Sequence, residues 1–329
     1  MISSRVSIIM PLKNASQWVE ETIQSILKQT HEDWELIVVD DHSEDHSIEI
    51  VSNYVHQDNR IQLFKNASKG IIPALQLAFE KASGTYITRM DADDIMPVNR
   101  LKLMVEQLQN LPEKAIVTGK VKYFSDTAVS PGYLKYEQWL NERVEQQDFY
   151  KHIYRECIVA SPNWMGRTDE FRQDDLFTQL VYPEDYDLCF RWNQLNYAIY
   201  GIDEVTLLWR EHSLRTSRNS IIYQQKSFFE LKLNWFIEQF STAKSIGIVG
   251  LGQKGKLCAQ QLNNSNVLFN LYDLNPEKYV QNEWNKVVQS PNNLTDEIIL
   301  IARYPEDLSA ITQYIENQGY EIGKNAFWV

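Results

Sequence analysis

Residues 86–94 read Tyr86-Ile87-Thr88-Arg89-Met90-Asp91-Ala92-Asp93-Asp94, so an apolar, β-branched run passes directly into three carboxylates. Such a run predicts a buried strand, with the carboxylates placed where that strand ends. Neighbouring carboxylates repel one another, and the repulsion falls when a hard divalent cation binds between them and a phosphate. The stretch therefore predicts a site for a metal ion with a diphosphate. Helix capping is the plainer alternative, but a helix that starts near Pro97 would use Asp94 alone.

The residues before this stretch alternate between strand and helix patterns. Val6–Pro11 and Trp34–Asp41 are apolar runs typical of buried strands, and residues 16–29 between them have helical spacing. The pattern continues as helix, strand and helix over residues 47–56, 61–64 and 71–82. This alternation predicts a doubly wound, mostly parallel α/β sheet, in which ligands bind at the carboxyl ends of the strands.

The ordered series of motifs resembles the family 2 glycosyltransferases, whose fold is the GT-A fold of nucleotide-diphospho-sugar transferases. The matching pieces are residues 6–14, 25–30, 35–45, 84–87, 91–95 with Arg100, 182–191 and 209–212. Three positions depart from the family pattern, one of which is Gln76 in place of a common asparagine. Lys13 stands where an aromatic residue usually stacks on the base, and His42 replaces the usual glycine of the Asp-Asp-Gly-Ser turn.

The resemblance implies a metal-dependent, inverting glycosyltransferase that moves a sugar from a nucleotide-diphosphate donor to an acceptor hydroxyl. We expect a UDP-sugar as donor, and a glycan or lipid-linked acceptor in surface polysaccharide synthesis. The donor-binding residues it implies are Pro11, Asn14, Asp40, Asp41, Lys69 and Asp91. Mg²⁺ or Mn²⁺ is expected at Asp93, with Asp91, Asp94 and His212 as further candidate ligands. Asp94 could instead bind the ribose, and His212 could instead donate to a phosphate.

The same resemblance assigns the general base to Asp185, with the neighbouring Glu184 as a second candidate. An acceptor hydroxyl is a poor nucleophile, so a carboxylate must take its proton as attack occurs. The apolar spacing after Asp185 predicts that it opens a helix, whose N-terminus would hold the carboxylate ionised. A plain helix cap is the alternative.

The middle of the chain is expected to select the acceptor. Residues 133–154 form a predicted helix pair rich in aromatic side chains, whose helical spacing favours a core role for most of them. Residues 161–166 resemble the family segment on the acceptor side, so Trp164 is the aromatic residue that we expect to contact the acceptor.

A second α/β unit is predicted after the first. Residues 245–249, 267–272, 297–302 and 321–329 have strand patterns, and residues 305–319 have a helical one. The first strand runs into Gly250-Leu-Gly-Gln-Lys-Gly255, and Asp273 follows about twenty positions on, which is the dinucleotide fingerprint. Gly250, Gly252, Gly255 and Asp273 therefore form a candidate second site for NAD or another nucleotide. Close helix packing is the alternative reason for these glycines.

We therefore expect a GT-A domain over residues 1–220, an aromatic linker helix over 221–242 and a small Rossmann-like accessory domain over 243–329. The linker helix is rich in Phe, Leu and Trp, which favours packing against another domain or a second subunit and leaves a face on lipid open.

Composition narrows the partners and the compartment. The 329 residues carry a net charge of −12, which argues against nucleic acid and against electrostatic docking on anionic lipid. Cys157, Cys189 and Cys258 have neither metal-ligand nor disulfide spacing. The sequence shows no apolar run of eighteen residues, so we expect a cytoplasmic protein whose membrane contact, if any, is peripheral.

Two other functions stay open at this point. The chain could be an inactive, nucleotide-binding regulator, or a bifunctional transferase and NAD-dependent sugar-nucleotide oxidoreductase. Retention of Asp41, Asp91, Asp93 and Asp185 favours an active transferase, because an inactive relative has no chemical need for both metal ligands and a base.

Overall fold

The computed structural model describes residues 4–219, 223, 225–302 and 308–329. The chain divides into two compact units, the first made of Met1–Phe149 and Ile158–Tyr223 and the second of Tyr150–Cys157 and Gln224–Val329. The domain limits 1–220, 221–242 and 243–329 stay a prediction, and residues 221, 222 and 224 of the expected linker helix lie outside the described residues.

The first unit is built on a seven-stranded sheet. Its strands are β1 (Val6–Leu12), β2 (Trp34–Asp40), β3 (Ile61–Lys65), β4 (Tyr86–Arg89), β5 (Ala115–Phe124), β6 (Trp164–Arg167) and β7 (Ala198–Arg210). Its helices are α1 (Val19–Leu27), α2 (Ser47–Gln57), α3 (Ile71–Lys81), α4 (Arg100–Gln109), α5 (Pro131–Gln146), α6 (Thr168–Gln173), α7 (Glu184–Gln194) and α8 (Thr216–Asn219).

The strand order is β3-β2-β1-β4-β6-β5-β7, and β6 runs antiparallel to both of its neighbours while the other pairs are parallel. The sheet is therefore mixed, and the predicted α/β fold is confirmed. All residues of β2 are buried, as expected for a parallel strand that is covered on both faces. The second helix predicted within residues 133–154 is wrong, because only a 3₁₀ turn forms at Phe149–His152.

The second unit has a five-stranded, all-parallel sheet. Its strands are β8 (Ile246–Val249), β9 (Phe269–Tyr272), β10 (Val288–Gln289), β11 (Ile298–Ile301) and β12 (Ala326–Trp328), and its helices are α9 (Gln225–Gln239), α10 (Gln253–Asn264) and α11 (Leu308–Glu316). The order β10-β9-β8-β11-β12 is that of a doubly wound sheet. The sequence predicts four strands and misses β10, which has two residues and no apolar run. Residues 305–307 of the helix expected over 305–319 lie outside the described residues.

Helix α9 contributes to the core of the second unit. Phe236 is fully buried, with its ring edge-on to Tyr154 and Phe327 at centroid distances of 5.3 and 6.0 Å. The apolar side chains expected to face a second subunit or lipid are therefore covered at this position. Within the described ranges, every helix is too short or too polar to traverse a bilayer.

Candidate active site

The carboxyl ends of β2, β1 and β4 lie side by side, so the loops that follow these strands meet at one edge of the first sheet. This edge carries Asn14 after β1, Asp40 and Asp41 at the end of β2, and the acidic residues after β4. Three motifs that are far apart in the sequence are thus brought together where ligands bind in open α/β sheets.

Asp41 organises the loops around it. It is 4% exposed, and its Oδ1 accepts hydrogen bonds from Asn66 Nδ2 and the Gly70 backbone N–H, both at 2.8 Å. Lys13 Nζ lies 3.3 Å from Oδ2. Sequence reasoning missed Asn66, which no strand or motif pattern marks. Lys13, which replaces an aromatic residue of the family pattern, forms an ion pair with Asp41.

Asp40 keeps a carboxylate oxygen unsatisfied. Its Oδ1 accepts from the Ser43 backbone N–H at 3.1 Å. Its Oδ2 is buried and has no hydrogen-bond partner among the described residues. A buried acceptor in this state is costly unless a ligand or water supplies a donor, so Asp40 fits a contact to a ligand hydroxyl or N–H group.

The other residues that are expected to bind the nucleotide-sugar donor lie around this edge and have different roles. Asn14 Oδ1 accepts from the Glu44 backbone N–H at 2.8 Å and so fixes the neighbouring loop. Pro11 is a partly buried residue of β1, and Lys69 is exposed in the loop before Gly70. His42 has φ 60°, the left-handed conformation that explains the usual glycine at this position.

The three carboxylates after β4 differ sharply in their surroundings. Asp91 Oδ1 accepts from Arg89 Nε at 2.7 Å, and Asp93 Oδ2 lies 2.9 Å from His212 Nε2. Asp94 is 1% exposed, and its Oδ1 accepts from the Arg210 backbone N–H at 2.8 Å. Burial, followed by the charge of Asp93, raises the pKa of Asp94 well above its usual range.

Asp94 therefore ties β7 to the acidic motif from inside the protein, and the metal-ligand role expected of it does not fit this enclosed position. Its other oxygen, Oδ2, is buried without a hydrogen-bond partner in the part of the chain that the structure describes. The capping alternative does not hold either, because α4 begins at Arg100 and is preceded by Asn99.

Asp93 and His212 are the pair that fits a divalent cation. The carboxylate is 26% exposed, and the imidazole is held by stacking on Trp18 at a centroid distance of 3.8 Å. Across residues 4–219, 223, 225–302 and 308–329, no three His, Cys, Asp or Glu side chains converge as a complete metal centre. A cation that takes one or two protein ligands and completes its shell with phosphates and water fits such a pair.

Asp185 is the second residue of α7 and lies in its first turn. Burial, and next the charge of Glu184, raise the pKa of Asp185 to about 7, although Arg89 opposes the shift. The raised pKa runs against the expectation that the helix N-terminus holds this carboxylate ionised, since desolvation and a like charge both favour the protonated form. A carboxyl group with this pKa suits proton transfer near neutral pH.

Glu184 has a different environment from Asp185. It is 2% exposed, with Oε1 3.0 Å from Arg89 Nη1 and Oε2 accepting from the Tyr223 hydroxyl at 2.5 Å. Sequence reasoning missed Arg89 and Tyr223 as site residues. Arg89 carried a usable signal, because a charged residue within a buried strand pattern requires a buried partner.

A second arginine was also missed. Arg215 follows the His212 turn, and its guanidinium carbon lies 4.9 Å from the Trp209 ring centroid, with Tyr123 and Tyr133 at 5.9 and 5.8 Å. Burial opposes its charge, but Tyr123, Asp94 and Asp93 raise the pKa of Arg215, so it stays cationic. Carboxylates nevertheless crowd this region, which contains Asp40, Asp41, Asp91, Asp93, Asp94, Glu184 and Asp185.

Trp164 does not lie on an open surface. It is 2% exposed at the start of β6, with its ring 5.7 Å from those of Phe171 and Trp192. The indole has no free face to offer a sugar, so the acceptor role expected of Trp164 does not fit this placement. Its contacts with Phe171 of α6 and Trp192 of α7 make it a core residue.

The glycine turn of the second unit separates into packing and open positions. Gly250 has φ 95°, and a Cβ on Gly255 would lie 1.9 Å from the Gly250 carbonyl oxygen, so both glycines are required by the backbone. A Cβ on Gly252 would meet nothing within 4 Å. Asp273 accepts from the backbone N–H groups of Leu251 and Asn275 at 2.9 and 3.0 Å.

A cavity of about 330 Å³ lies beside this turn. It is lined by Leu251, Lys256, Tyr279, Gln281, Asn282, Glu283 and Trp284. Backbone conformation thus explains Gly250 and close packing explains Gly255, and the open position at Gly252 and the cavity leave room for a ligand.

Comparison with known proteins places these features in a family. The family model described as "Glycosyl transferase family 2" matches residues 7–173. Glycosyltransferase GlyG of Streptococcus pneumoniae is 32% identical over 218 residues, which is 64% of this chain and 72% of GlyG. An uncharacterized glycosyltransferase of Rickettsia bellii is 32% identical over 178 residues, and the match spans 54% of this chain but only 24% of that protein.

Two solved structures share the fold. TarS 1–349 of S. aureus in complex with UDP-GlcNAc aligns with a TM-score of 0.51 and 17% identity, over 72% of this chain and 73% of TarS. The mannosyltransferase PcManGT of Pyrobaculum calidifontis, in complex with GDP-Man and Mn²⁺, aligns with a TM-score of 0.50 and 16% identity, over 74% of this chain and 64% of PcManGT.

These findings confirm the family and the GT-A fold that the motifs predict. The family match ends at residue 173, so it does not identify the second unit. Because the family model covers half of the chain and GlyG is matched over most of its length, the chain belongs to glycosyl transferase family 2, and the protein is a glycosyltransferase.

Proposed function

We propose that the protein is a metal-dependent, inverting glycosyltransferase that moves a sugar from a nucleotide-diphosphate donor to an acceptor hydroxyl. The observation that carries the proposal is Asp185, a carboxyl group whose pKa is raised to about 7 and whose neighbour Glu184 is joined through Arg89 to the acidic motif. A proton acceptor thus belongs to the same network as the residues suited to a diphosphate.

The donor nucleotide is held, in this proposal, by the ends of β1 and β2. The unsatisfied Oδ2 of Asp40 accepts from the nucleoside, while Asp41 and Asn14 keep the loops in place. Pro11 and Lys69 border this position. UDP-sugars are the donors we expect, and the TarS complex with UDP-GlcNAc and the PcManGT complex with GDP-Man support a nucleotide-sugar donor.

Asp93 and His212 would hold Mg²⁺ or Mn²⁺, with Asp91 on the donor side. The bound cation offsets the charge that develops on the departing diphosphate. The presence of Mn²⁺ in the PcManGT complex supports this cofactor. Arg215, a partly buried cation near Asp93 and Asp94, adds positive charge to the same region.

Asp185 takes the proton of the acceptor hydroxyl while the hydroxyl oxygen bonds to the anomeric carbon of the sugar. The bond from that carbon to the diphosphate oxygen breaks, so a single displacement inverts the anomeric centre. The acceptor that we propose is a glycan or lipid-linked hydroxyl of surface polysaccharide synthesis, a choice supported by the motif resemblance.

A panel of nucleotide sugars, each incubated with the protein and Mn²⁺, tests the proposal. We expect one donor to release nucleoside diphosphate with saturable kinetics, and EDTA to stop the release. The Asp185→Asn variant should bind that donor with unchanged affinity and release far less diphosphate. Absence of donor turnover across UDP, GDP and TDP sugars with several glycan acceptors would contradict the proposal and favour an inactive, nucleotide-binding protein.

A second, accessory activity is favoured by the cavity beside Gly252. We propose that it accepts NAD or another nucleotide, with Trp284 and Tyr279 available to the base and Lys256 to a phosphate. Titration with NAD and with nucleoside diphosphates, followed by tryptophan fluorescence, tests this idea. Saturable quenching that Gly252→Val removes is the expected result, and nicotinamide reduction in the presence of a sugar nucleotide would indicate a bifunctional enzyme.

A further inference from the structure

Arg89, the last residue of β4, joins two parts of the site that are separate in the sequence. Its side chain is only 6% exposed. Nε donates to Asp91 Oδ1 at 2.7 Å, and Nη1 donates to Glu184 Oε1 at 3.0 Å. One guanidinium therefore connects the acidic motif with the first turn of α7.

Both carboxylate oxygens of Glu184 have a hydrogen-bond partner. Arg89 binds one carboxylate oxygen, and the Tyr223 hydroxyl donates to the other at 2.5 Å. The next residue, Asp185, accepts on Oδ1 from the Tyr186 backbone N–H at 2.8 Å. The two adjacent carboxylates thus differ, since Glu184 is bound through both oxygens, whereas among the described residues only one oxygen of Asp185 has a hydrogen-bond partner.

The chemistry of arginine suits a link of this type. A guanidinium is planar and rigid, so two carboxylates bound to different N–H groups are held at a set distance and angle. A lysine ammonium is a single point charge on a flexible stem and does not impose that geometry. Burying the charges carries a desolvation cost, so such a pair is better explained by geometry than by stability.

We propose that Arg89 is a positioning residue that acts through Glu184 to fix the first turn of α7 against the acidic motif, and so sets where Asp185 meets the acceptor hydroxyl. The inference rests on the proposed function, because it takes Asp185 as the base. It also gives Glu184 a role other than proton transfer. Tyr223 donates to the other oxygen of the Glu184 carboxylate, and Arg89 and Tyr223 together form what we call the Glu184 clamp.

The test uses full-length Arg89→Lys, Glu184→Gln and the double variant, with Arg143→Lys as a matched control. Arg143 of α5 is as buried as Arg89, and its Nη1 pairs with Asp148 at 2.7 Å. Thermal melting checks folding, and kcat, donor KM and the affinity for the nucleoside diphosphate with Mn²⁺ are measured for each protein.

We expect Glu184→Gln to lower kcat roughly 10- to 100-fold, the scale of a misplaced catalytic group, while donor KM and diphosphate affinity stay within about twofold. The double variant should lose little more kcat than the stronger single variant, because both changes break the same link between the acidic motif and α7. Arg143→Lys should keep its kcat. A loss confined to donor affinity, or fully additive losses, would overturn the positioning role.

A pH profile separates positioning from proton transfer. The groups that act on the pKa of Asp185 are Glu184, Arg89, the Tyr186 backbone N–H and Asp91, and Asp185 in turn acts on the pKa of Tyr223. Removing the negative charge of Glu184 should move the acid limb of kcat/KM to lower pH and keep a measurable limb. Disappearance of the limb would identify Glu184 as the base and overturn the proposal.

If Glu184→Gln fails to fold, Tyr223→Phe provides the second variant, since it removes one hydrogen bond to the same carboxylate. It should lower kcat at constant donor KM, and an unchanged kcat would count against the Glu184 clamp. The proposed function fails separately, through absence of donor turnover in the wild-type protein, whereas the positioning role fails when an active wild type and Glu184→Gln have equal kcat.

Discussion

The two units carry parallel strands in the same local order, with the third, second, first and fourth strands side by side, yet their carboxyl edges differ. In the first unit, Asp40 and Asp94 each keep a buried oxygen without a hydrogen-bond partner among the described residues. In the second unit, Asp273 uses both oxygens on backbone N–H groups, and Asp296 accepts from Asn270 and Tyr272.

The difference indicates where each unit can still bind something polar. Buried polar groups are nearly always satisfied, so the unsatisfied oxygen of Asp40 marks a position open to a ligand, whereas Asp94 is enclosed and ties β7 to the acidic motif. A shared strand order therefore does not imply a shared chemistry. In our proposal the acidic edge of the first unit supports catalysis, and the second unit offers a cavity beside a turn whose acidic residue already binds backbone N–H groups.

The largest effect is expected from Asp93→Ala, which removes the carboxylate of the pair suited to the cation. Losing several kcal/mol of leaving-group stabilisation should lower turnover about 10³-fold or more. The melting temperature should change little, because the side chain is partly exposed. Release of nucleoside diphosphate with Mn²⁺ measures the effect, and Asp169→Ala, an 87% exposed carboxylate of the same unit, is the control. Near wild-type turnover would remove Asp93 from the site.

Asp185→Asn should lower turnover about 10²-fold or more, the scale of general base catalysis. The wild-type kcat/KM should rise with pH through about 7, because Asp185 must lose its proton before it can accept one. The variant should show a flat profile over the same range. A pH limb retained in Asp185→Asn would assign the base to another group.

Within the second unit, Gly255→Ala and Gly252→Ala form a matched pair. The added methyl group at Gly255 meets the Gly250 carbonyl oxygen, so we expect a loss of about 1–3 kcal/mol in the free energy of unfolding. Gly252→Ala has open space and should stay within about 0.5 kcal/mol of the wild type. Denaturant unfolding measures both variants. Equal losses would show that the turn is uniformly constrained and has no position open for a ligand.

The smallest effect concerns stability at Asp185. Its folded-state pKa of about 7 lies above the ordinary value of 3.8, so between these values the folded protein binds a proton that the unfolded chain releases. Its contribution to stability therefore falls as pH rises. Asp185→Asn should melt above the wild type at pH 7.5 and equal it at pH 4, because the amide cannot be forced to ionise in the folded protein. An unchanged difference across this range would contradict the raised pKa.

Much of the fold could be predicted from the sequence because its signals are local. The apolar runs of β1, β2 and β4 and the helical spacing of α1 to α3 specify a parallel sheet, and the carboxylates that follow two of these strands specify its ligand edge. β10 gave no such signal, since two residues cannot form a pattern.

The parts of the site that could not be predicted depend on tertiary burial. Asp94 and Trp164 have the residue types of a metal ligand and a sugar platform, but both are enclosed by elements that are distant in the sequence. The pKa of Asp185 depends likewise on desolvation and on Glu184, which the helix pattern does not report. The contact between Arg89 and Glu184 joins residues 95 positions apart, and only the folded chain reveals it.

The crowd of carboxylates at the edge of the first sheet has a kinetic consequence. A nucleoside diphosphate is itself anionic, so the field of these groups slows its approach when it arrives without a cation. We therefore expect compulsory-order kinetics, in which the nucleotide associates as its Mg²⁺ or Mn²⁺ complex and the free nucleotide is a poor competitor. Binding of the nucleoside diphosphate should then follow the concentration of the complex, so that a chelator weakens its measured affinity for the protein.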